Sequence, residues 1–330
     1  KYYDQRKGPG PIVRGVGMAM IMQATGIPGV DMGSARIKMN EDGSFDLHYG
    51  ATDLGTGADT VLCQMAAETL GVTVDDIVEH PADTDNTPFD TGAYASSTTY
   101  ISGGAVTEAC KKVRRQILER AAKMLDEPKD NLRIGNKKVV SNETGNDVSY
   151  GDICRDALYV SDQRQIQGDG SFMSYESPPP FGAHFARVAV DTGTGEIDVE
   201  RYVAATDCGL PINPQACHGQ VEGAIQQGLG YALTEEMTFN DRGQMVNPNF
   251  QDYKIHTSRD MPEIESILVK THEPEGPFGV KAIAEIPING PAPTVANAVY
   301  DATGVRIKNL PVTPEKLHRK LHPSKYSDDS

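Results

Sequence analysis

No run of apolar residues in this sequence approaches the roughly 20 that a membrane-spanning helix requires, so no such helix is expected within it. Positive charge is in short supply. With 31 Lys and Arg against 46 Asp and Glu, the net charge of −15 argues against a nucleic-acid or acidic-membrane surface. Cysteine is sparse and scattered. Cys63, Cys110, Cys154, Cys208 and Cys217 include no C-x-x-C pair, which suits a reducing cytoplasm and argues against a zinc or iron–sulfur site built by this chain alone. The phosphate-loop signature G-x-x-x-x-G-K-[ST] and the dinucleotide fingerprint G-x-G-x-x-G are both missing, so nucleotide hydrolysis and a Rossmann site lack their usual marks. Residues 1–7 hold no apolar stretch of the secretory type and no initiating Met. Tryptophan is absent.

Glycine and proline are plentiful instead, 33 and 21 in 330 residues, and imply tight turns and close approaches of backbone. Such a surface suits a ligand gripped by main chain. The length allows two domains or one large one.

The pattern along the chain is mixed. Residues 15–23 read as a buried strand and residues 34–40 and 44–50 as a hairpin with Gly43 in its turn. A helix follows over 58–70, stopped by Gly71. Residues 80–102 form a long irregular stretch of the kind that is functional or disordered. Gly103-Gly104 opens an amphipathic helix to about Asp126, with Val106, Val113, Ile117 and Leu118 on its apolar side. A short hairpin over 131–140 and a short helix over 149–159 come next. Residues 161–180 are polar and end in three prolines, which marks a boundary or an extended crossing segment.

The second half opens like the first, with strands over 186–191 and 196–206, then a Gly/Pro loop and a helix over 220–233. A strand over 263–270, a helix over 294–302, another over 313–321 and a polar tail complete it. This predicts an α+β fold of two related lobes with mixed sheets and flanking helices, one over residues 1–180 and one over 181–330.

Four stretches have the make-up of a site. Residues 276–287 (GPFGVKAIAEIP) carry Glu285 in a small, apolar run, where a desolvated carboxylate would have a raised pKa and serve as a general base; an exposed Glu on a loop is the plainer reading. Gly55-Thr56-Gly57 stands directly before a helix, where free N–H groups and the helix dipole favour a phosphate, or where it is simply a turn. Ala95-Ser96-Ser97-Thr98-Thr99 offers hydroxyls and N–H groups that hold a large ligand without adding charge, though such loops are often only solvated. Gly219-Gln220-Val221-Glu222-Gly223 opens a glycine-rich helix. Each glycine there costs about 1 kcal/mol against Ala, which close packing at Gly223 or a cofactor beside Gln220 would justify.

In this order, these motifs resemble those of the molybdenum hydroxylases of the xanthine dehydrogenase and aldehyde oxidoreductase type. Asp53-Leu54-Gly55-Thr56-Gly57, Tyr94-Ala95-Ser96-Ser97-Thr98, Asp207-Cys208-Gly209 with Ile212-Asn213-Pro214, Gly219-Gln220-Val221-Glu222-Gly223, and Gly276-Pro277-Phe278-Gly279 leading to Lys281 and Glu285 carry the resemblance. It spans about residues 15–317 and corresponds to the C-terminal half of the family's molybdopterin-binding region. It implies that Glu285 is the base that takes a proton from a molybdenum-bound hydroxyl as hydride passes to a terminal sulfido or selenido group. It also implies that Gly55, Thr56, Gly57, Ala95, Ser96, Ser97, Thr98, Gln220 and Lys281 surround a molybdopterin cytosine dinucleotide. The metal would be held by the cofactor's dithiolene and by no protein ligand. Thr56 stands where many relatives have Gln, and Ala284 where the usual residue is Gly. A G-G-x-F-G segment, iron–sulfur cysteines and a flavin site are lacking. The resemblance therefore implies a split cytoplasmic enzyme whose large molybdopterin subunit, 2Fe-2S subunit and FAD subunit are separate partners. It is nearest to the nicotinate dehydrogenases of anaerobic bacteria, which make 6-hydroxynicotinate and reduce NADP. A purine hydroxylase of the same design and a non-catalytic, cofactor-gripping assembly subunit are the alternatives.

Overall fold

The computed structural model describes residues 10–160 and 162–326; the readings for residues 1–7, for Ser161 and for the tail beyond residue 326 lie outside the described residues. The strands are β1 (Ile12–Met22), β2 (Met32–Met39), β3 (Phe45–Tyr49), β4 (Ile77–Pro81), β5 (Leu132–Gly135), β6 (Lys138–Ser141), β7 (Asp147–Ser149), β8 (Gln167–Met173), β9 (Phe181–Asp191), β10 (Ile197–Asp207) and β11 (Glu263–Val269). The helices are α1 (Ala58–Leu70), α2 (Thr98–Leu125), α3 (Tyr150–Tyr159), α4 (Pro214–Leu233), α5 (Pro291–Thr303) and α6 (Pro314–Leu321). Among the described residues, no helix is long and apolar enough to cross a membrane.

Two four-stranded sheets, ordered β8-β2-β3-β4 and β1-β9-β10-β11, organise the molecule. Each has two antiparallel pairs followed by one parallel pair, β3 with β4 and β10 with β11. The parallel pair needs a crossover, and a helix supplies it in each case, α1 in the first sheet and α4 in the second. The fold is therefore α+β with mixed sheets, as the pattern predicts, and the two lobes share one plan. Alternation directs the packing. Ile37, Met39, Phe45 and Leu47 face α1 and α2, while Val188, Val190, Tyr202 and Ala204 face α4 and α5. Each fully buried side chain of this size contributes about 1.5–3 kcal/mol. β5, β6, β7 and α3 form a small third layer on the first lobe.

Glycine pairs bring the helices onto the edge strands. A Cβ at Gly168 or Gly170 of β8 would lie 2.8 or 2.3 Å from the carbonyls of Ala109 and Ala105 in α2. At Gly15 or Gly17 of β1 it would lie 2.2 or 2.0 Å from those of Ala298 and Thr294 in α5. Only glycine allows these contacts.

Several expectations change. β8 lies within residues 161–180, read as a polar crossing segment; its inward positions are Gly168, Gly170 and Phe172, so a single apolar side chain is left to mark it. The helix expected from Gly103 begins at Thr98, and Gly103 and Gly104 are buried inside it against Met65 and the Phe172 ring. β1 is not a buried strand: glycines line its inner side and Met18, Met20 and Met22 are exposed on the other. It also pairs with β9, so the sheet of the second lobe draws a strand from before residue 180.

Candidate active site

Three helices begin around one cleft, which has a volume of about 190 Å³. Ala58 of α1, Thr98 and Thr99 of α2, and Ala216 and Gln220 of α4 line it, and residues 280–285 close the other side. Val61, Met65, Tyr100, Ile101 and Val280 pack together as its apolar support.

The three starts are built differently. Before α1, the Asp53 carboxylate accepts from the N–H groups of Gly55 (2.7 Å), Gly57 (3.2 Å) and Asp59 (3.3 Å). Burial alone would raise the Asp53 pKa, but these backbone donors outweigh it and hold the carboxyl below its usual range. The expected anion site at Gly55-Thr56-Gly57 is thus already filled by the chain's own carboxylate. Before α4, Asn213 caps the helix by accepting from the Ala216 N–H at 3.1 Å, with Pro214 as the first helical residue. α4 starts six residues earlier than expected, which puts Gln220 in its second turn. α2 has no side-chain cap, and Ala95 and Ser96 before it both take the left-handed conformation (φ 49° and 53°). The first N–H groups of α2 therefore have no intrahelical acceptor.

Glu285 stands at the cleft wall and is exposed. The expectation of a desolvated carboxylate is not met within this chain. A 3-10 turn over Ile286–Asn289 buries Ile286 and Pro287 and leaves the carboxylate outside. Its Oε2 accepts from Gln23 Nε2 at 2.7 Å and from the Ser96 hydroxyl at 3.1 Å, and its N–H donates to Ser96 Oγ at 3.1 Å. Asn289 in turn donates to Gln23 Oε1 at 3.0 Å. Gln23 is thus clamped between the base candidate and the turn behind it. The sequence reading passed over Gln23, whose only signal was an amide ending an apolar strand.

Lys281 also lines the cleft, but its ammonium is engaged: it donates to Asp207 Oδ2 at 2.5 Å and to the Pro179 carbonyl at 3.2 Å. Asp207 further accepts from Thr271 Oγ1 at 2.6 Å and the Gly209 N–H at 3.0 Å. Burial pulls its pKa upward, and the hydrogen bonds from Lys281 and Thr271 more than reverse that. Two of the scattered cysteines, Cys208 and Cys217, meet in the wall, and a hydrogen bond from Cys208 holds the Cys217 thiol below its usual pKa.

Of the ten residues singled out from sequence, Thr56, Ser96, Thr98, Gln220, Lys281 and Glu285 line the cleft together. The other four shape its rim: Gly57 is the N-cap residue of α1, Gly55 turns the loop (φ 92°), Ala95 accepts from the Gly26 N–H at 2.9 Å, and Ser97 donates to the Tyr94 carbonyl at 2.9 Å. Gly223 does not pack closely: a Cβ there would meet nothing within 4 Å, whereas one at Gly228 would strike Pro291.

This donor set fits a molybdopterin cofactor. The hydroxyls of Thr56, Thr98 and Thr99 and the Gln220 amide face the cleft without a protein partner among the described residues, beside an uncapped helix start that favours an anion. Among the described residues, no group of three or more His, Cys, Asp or Glu could hold a metal ion.

Comparison with known proteins identifies the family. The profile of the molybdopterin cofactor-binding domain matches residues 1–262. The chain is 39% identical over 304 residues to a probable hypoxanthine oxidase of Escherichia coli, covering 92% of this chain and 32% of that one. It is 38% identical over 320 residues to a putative xanthine dehydrogenase molybdenum-binding subunit of the same organism, covering 95% and 43%. In structure it is similar to quinoline 2-oxidoreductase from Pseudomonas putida 86, with a TM-score of 0.89 at 27% identity over 94% of this chain and 42% of that one. The family match and the fold thus define a molybdopterin-binding unit. The chain belongs to the molybdopterin cofactor-binding family of the molybdenum hydroxylases. It spans about a third to two fifths of the curated relatives' length.

Proposed function

We propose that this chain is the base-carrying molybdopterin subunit of a multi-subunit hydroxylase acting on an N-heteroaromatic ring. The overall change is R–H + H2O → R–OH + 2 H⁺ + 2 e⁻. The observation that carries the reading is the Glu285 carboxylate, pinned by Gln23 and Ser96 beside free hydroxyls, an amide and an uncapped helix start.

When bound, the molybdopterin cytosine dinucleotide, with sulfur or selenium on the metal, supplies the two-electron acceptor. The α2 start, Thr56, Thr98, Thr99 and Gln220 hold its anionic and amide groups. Gly55, Gly57, Ala95 and Ser97 keep the two loops in shape around them. The Lys281–Asp207 pair sets the wall opposite. Gln23 and Ser96 fix one oxygen of Glu285, and the other takes the proton released as oxygen from water joins the ring carbon. A large molybdopterin subunit completes the pocket, and 2Fe-2S and FAD subunits carry the electrons to NADP.

Nicotinate, giving 6-hydroxynicotinate, is the first substrate of this reading. A purine is the second. One observation favours the purine: Lys281 is the one Lys or Arg lining the cleft among the described residues, and it is committed to Asp207, so a substrate carboxylate finds no free cation here. The relatives named for hypoxanthine and xanthine point the same way.

Assay of the native assembly on nicotinate and hypoxanthine, with Glu285→Gln beside it, tests the proposal. The variant is expected to keep its molybdenum and lose hydroxylation by about a thousandfold. Undiminished turnover in Glu285→Gln would instead leave an assembly subunit that grips cofactor without catalysing.

A further inference from the structure

Beyond the end of β1 the chain runs through Gln23, Ala24, Thr25 and Gly26, and of these the proposed chemistry uses only Gln23. Thr25 is buried, with 1% of its surface exposed. Its Oγ1 accepts from the Ala282 N–H at 3.1 Å, three residues before Glu285. Ala282 is itself buried and lies in no helix or strand, so no ladder offers this N–H another acceptor. The main chain on either side is tied in the same way. The Lys281 N–H donates to the Cys208 carbonyl at 2.8 Å, and the Glu285 N–H donates to Ser96 Oγ at 3.1 Å. Residues 281–285 are therefore held by the end of β10, the turn after β1 and the α2 start together.

Thr25 is fixed from behind. Ser177 Oγ accepts from the Thr25 N–H at 3.1 Å, and its proton is shared by the carbonyls of Thr25 and Gly26 at 3.0 and 3.1 Å. The next N–H, that of Gly26, donates to the Ala95 carbonyl at 2.9 Å. Gly26 does this from a left-handed backbone (φ 69°), which favours glycine. Ala95 and Ser96 share that conformation without being glycine, and such residues persist only where their surroundings hold them. Gly26 holds the first and Glu285 the second. One short strip thus ties the segment that carries the carboxylate to the loop that opens α2.

We infer that Thr25 is a positioning residue for Glu285: its hydroxyl, locked by Ser177, sets residues 282–285 against residues 95–97 so that Gln23 and Ser96 reach the carboxylate together. The inference deepens the function proposed above and rests on it for the link to turnover. The hydroxyl is the working part. Valine has the same shape without the acceptor, and would leave the Ala282 N–H buried and unpaired.

Hydrogen–deuterium exchange of the full chain, read by peptide mass spectrometry, compares the native sequence with Thr25→Val and Thr25→Ser. In Thr25→Val, exchange in residues 280–289 and 94–98 is expected to rise together by about tenfold, with residues 295–303 of α5 unchanged. Thr25→Ser restores the native rates. In the native assembly, Thr25→Val is expected to lower kcat about tenfold with KM and pterin content unchanged, and Thr25→Ser to recover it. Native exchange in Thr25→Val overturns the inference, as does a rise that spreads to α5, which would make Thr25 an ordinary core residue. Should Thr25→Val not fold, Ser177→Ala is read in the same way, since it loosens Thr25 and leaves the acceptor in place. Glu285→Gln beside these variants separates the two readings. Full turnover in Thr25→Val next to an inactive Glu285→Gln sinks the positioning role and spares the proposed function; full turnover in both sinks the function.

Discussion

The first sheet turns Arg36, Lys38, Asp46 and His48 outward, whereas the second turns Met18, Met20, Phe181 and Ile267 outward, on the same strand plan. Both have a glycine-paired edge strand under a helix and a parallel pair at the other edge. Backbone plan and surface character are therefore specified separately. The plan follows from glycine spacing, hairpins and crossover helices. The outer face is free to vary, charged and polar on the first sheet and richer in methionine and phenylalanine on the second.

If the two edge strands are equivalent, Gly170→Ala and Gly17→Ala should be the most damaging small changes. Each new Cβ would press on a helix carbonyl, at 2.3 Å from Ala105 and 2.0 Å from Thr294. A loss of about 3 kcal/mol is expected for either in urea unfolding. A large loss at one and none at the other would break the equivalence.

The second lobe alone buries a histidine against its helix. His184 donates to or accepts from the Tyr202 hydroxyl at 2.8 Å and lies under Gly290; burial pushes its pKa from 6.5 down to about 4. The folded state therefore binds this proton less readily than the unfolded chain. Stability from neutral His184 is complete above pH 6.5 and drains as pH falls toward 4. Between pH 7.5 and 5 the loss should be about 2 kcal/mol, and His184→Gln should remove that share of the slope. An unchanged slope in the variant would count against the assignment.

Smaller effects sharpen the division of labour at the cleft, where Gln23 at the end of β1 steadies a base that follows β11. Gln23→Ala is expected to lower kcat about tenfold with pterin content and KM unchanged, since it releases Glu285 without touching the ligand. A change in KM alone would assign Gln23 to substrate binding. Smallest of all, Gly223→Ala meets no neighbour and should stabilise α4 by about 0.5–1 kcal/mol in thermal unfolding, while Gly228→Ala, against Pro291, should destabilise it.

Much of this was legible beforehand. The helix over 58–70, the hairpin of β2 and β3, the repeat of that hairpin in β9 and β10, and the helix over 313–321 follow from local periodicity, turn glycines and helix stops, which act within a few residues. β8 was hidden because two of its three inner positions, Gly168 and Gly170, carry no side chain, and Phe172 alone makes no period. The Asp53 loop was read as an open anion site because nothing in G-T-G discloses that a carboxylate two residues away already occupies its N–H groups.

The sequence by itself determined the α+β plan, the absence of a spanning apolar run, and the motifs that carry the family. Tertiary structure alone decided what those motifs face. The Glu285 carboxylate meets Gln23 across 262 positions and Ser96 across 189, and three helix starts far apart in the chain converge on one cleft. Such contacts depend on how two sheets and their helices close on each other, which no local pattern encodes. The same closure left the Glu285 carboxylate exposed at the cleft wall.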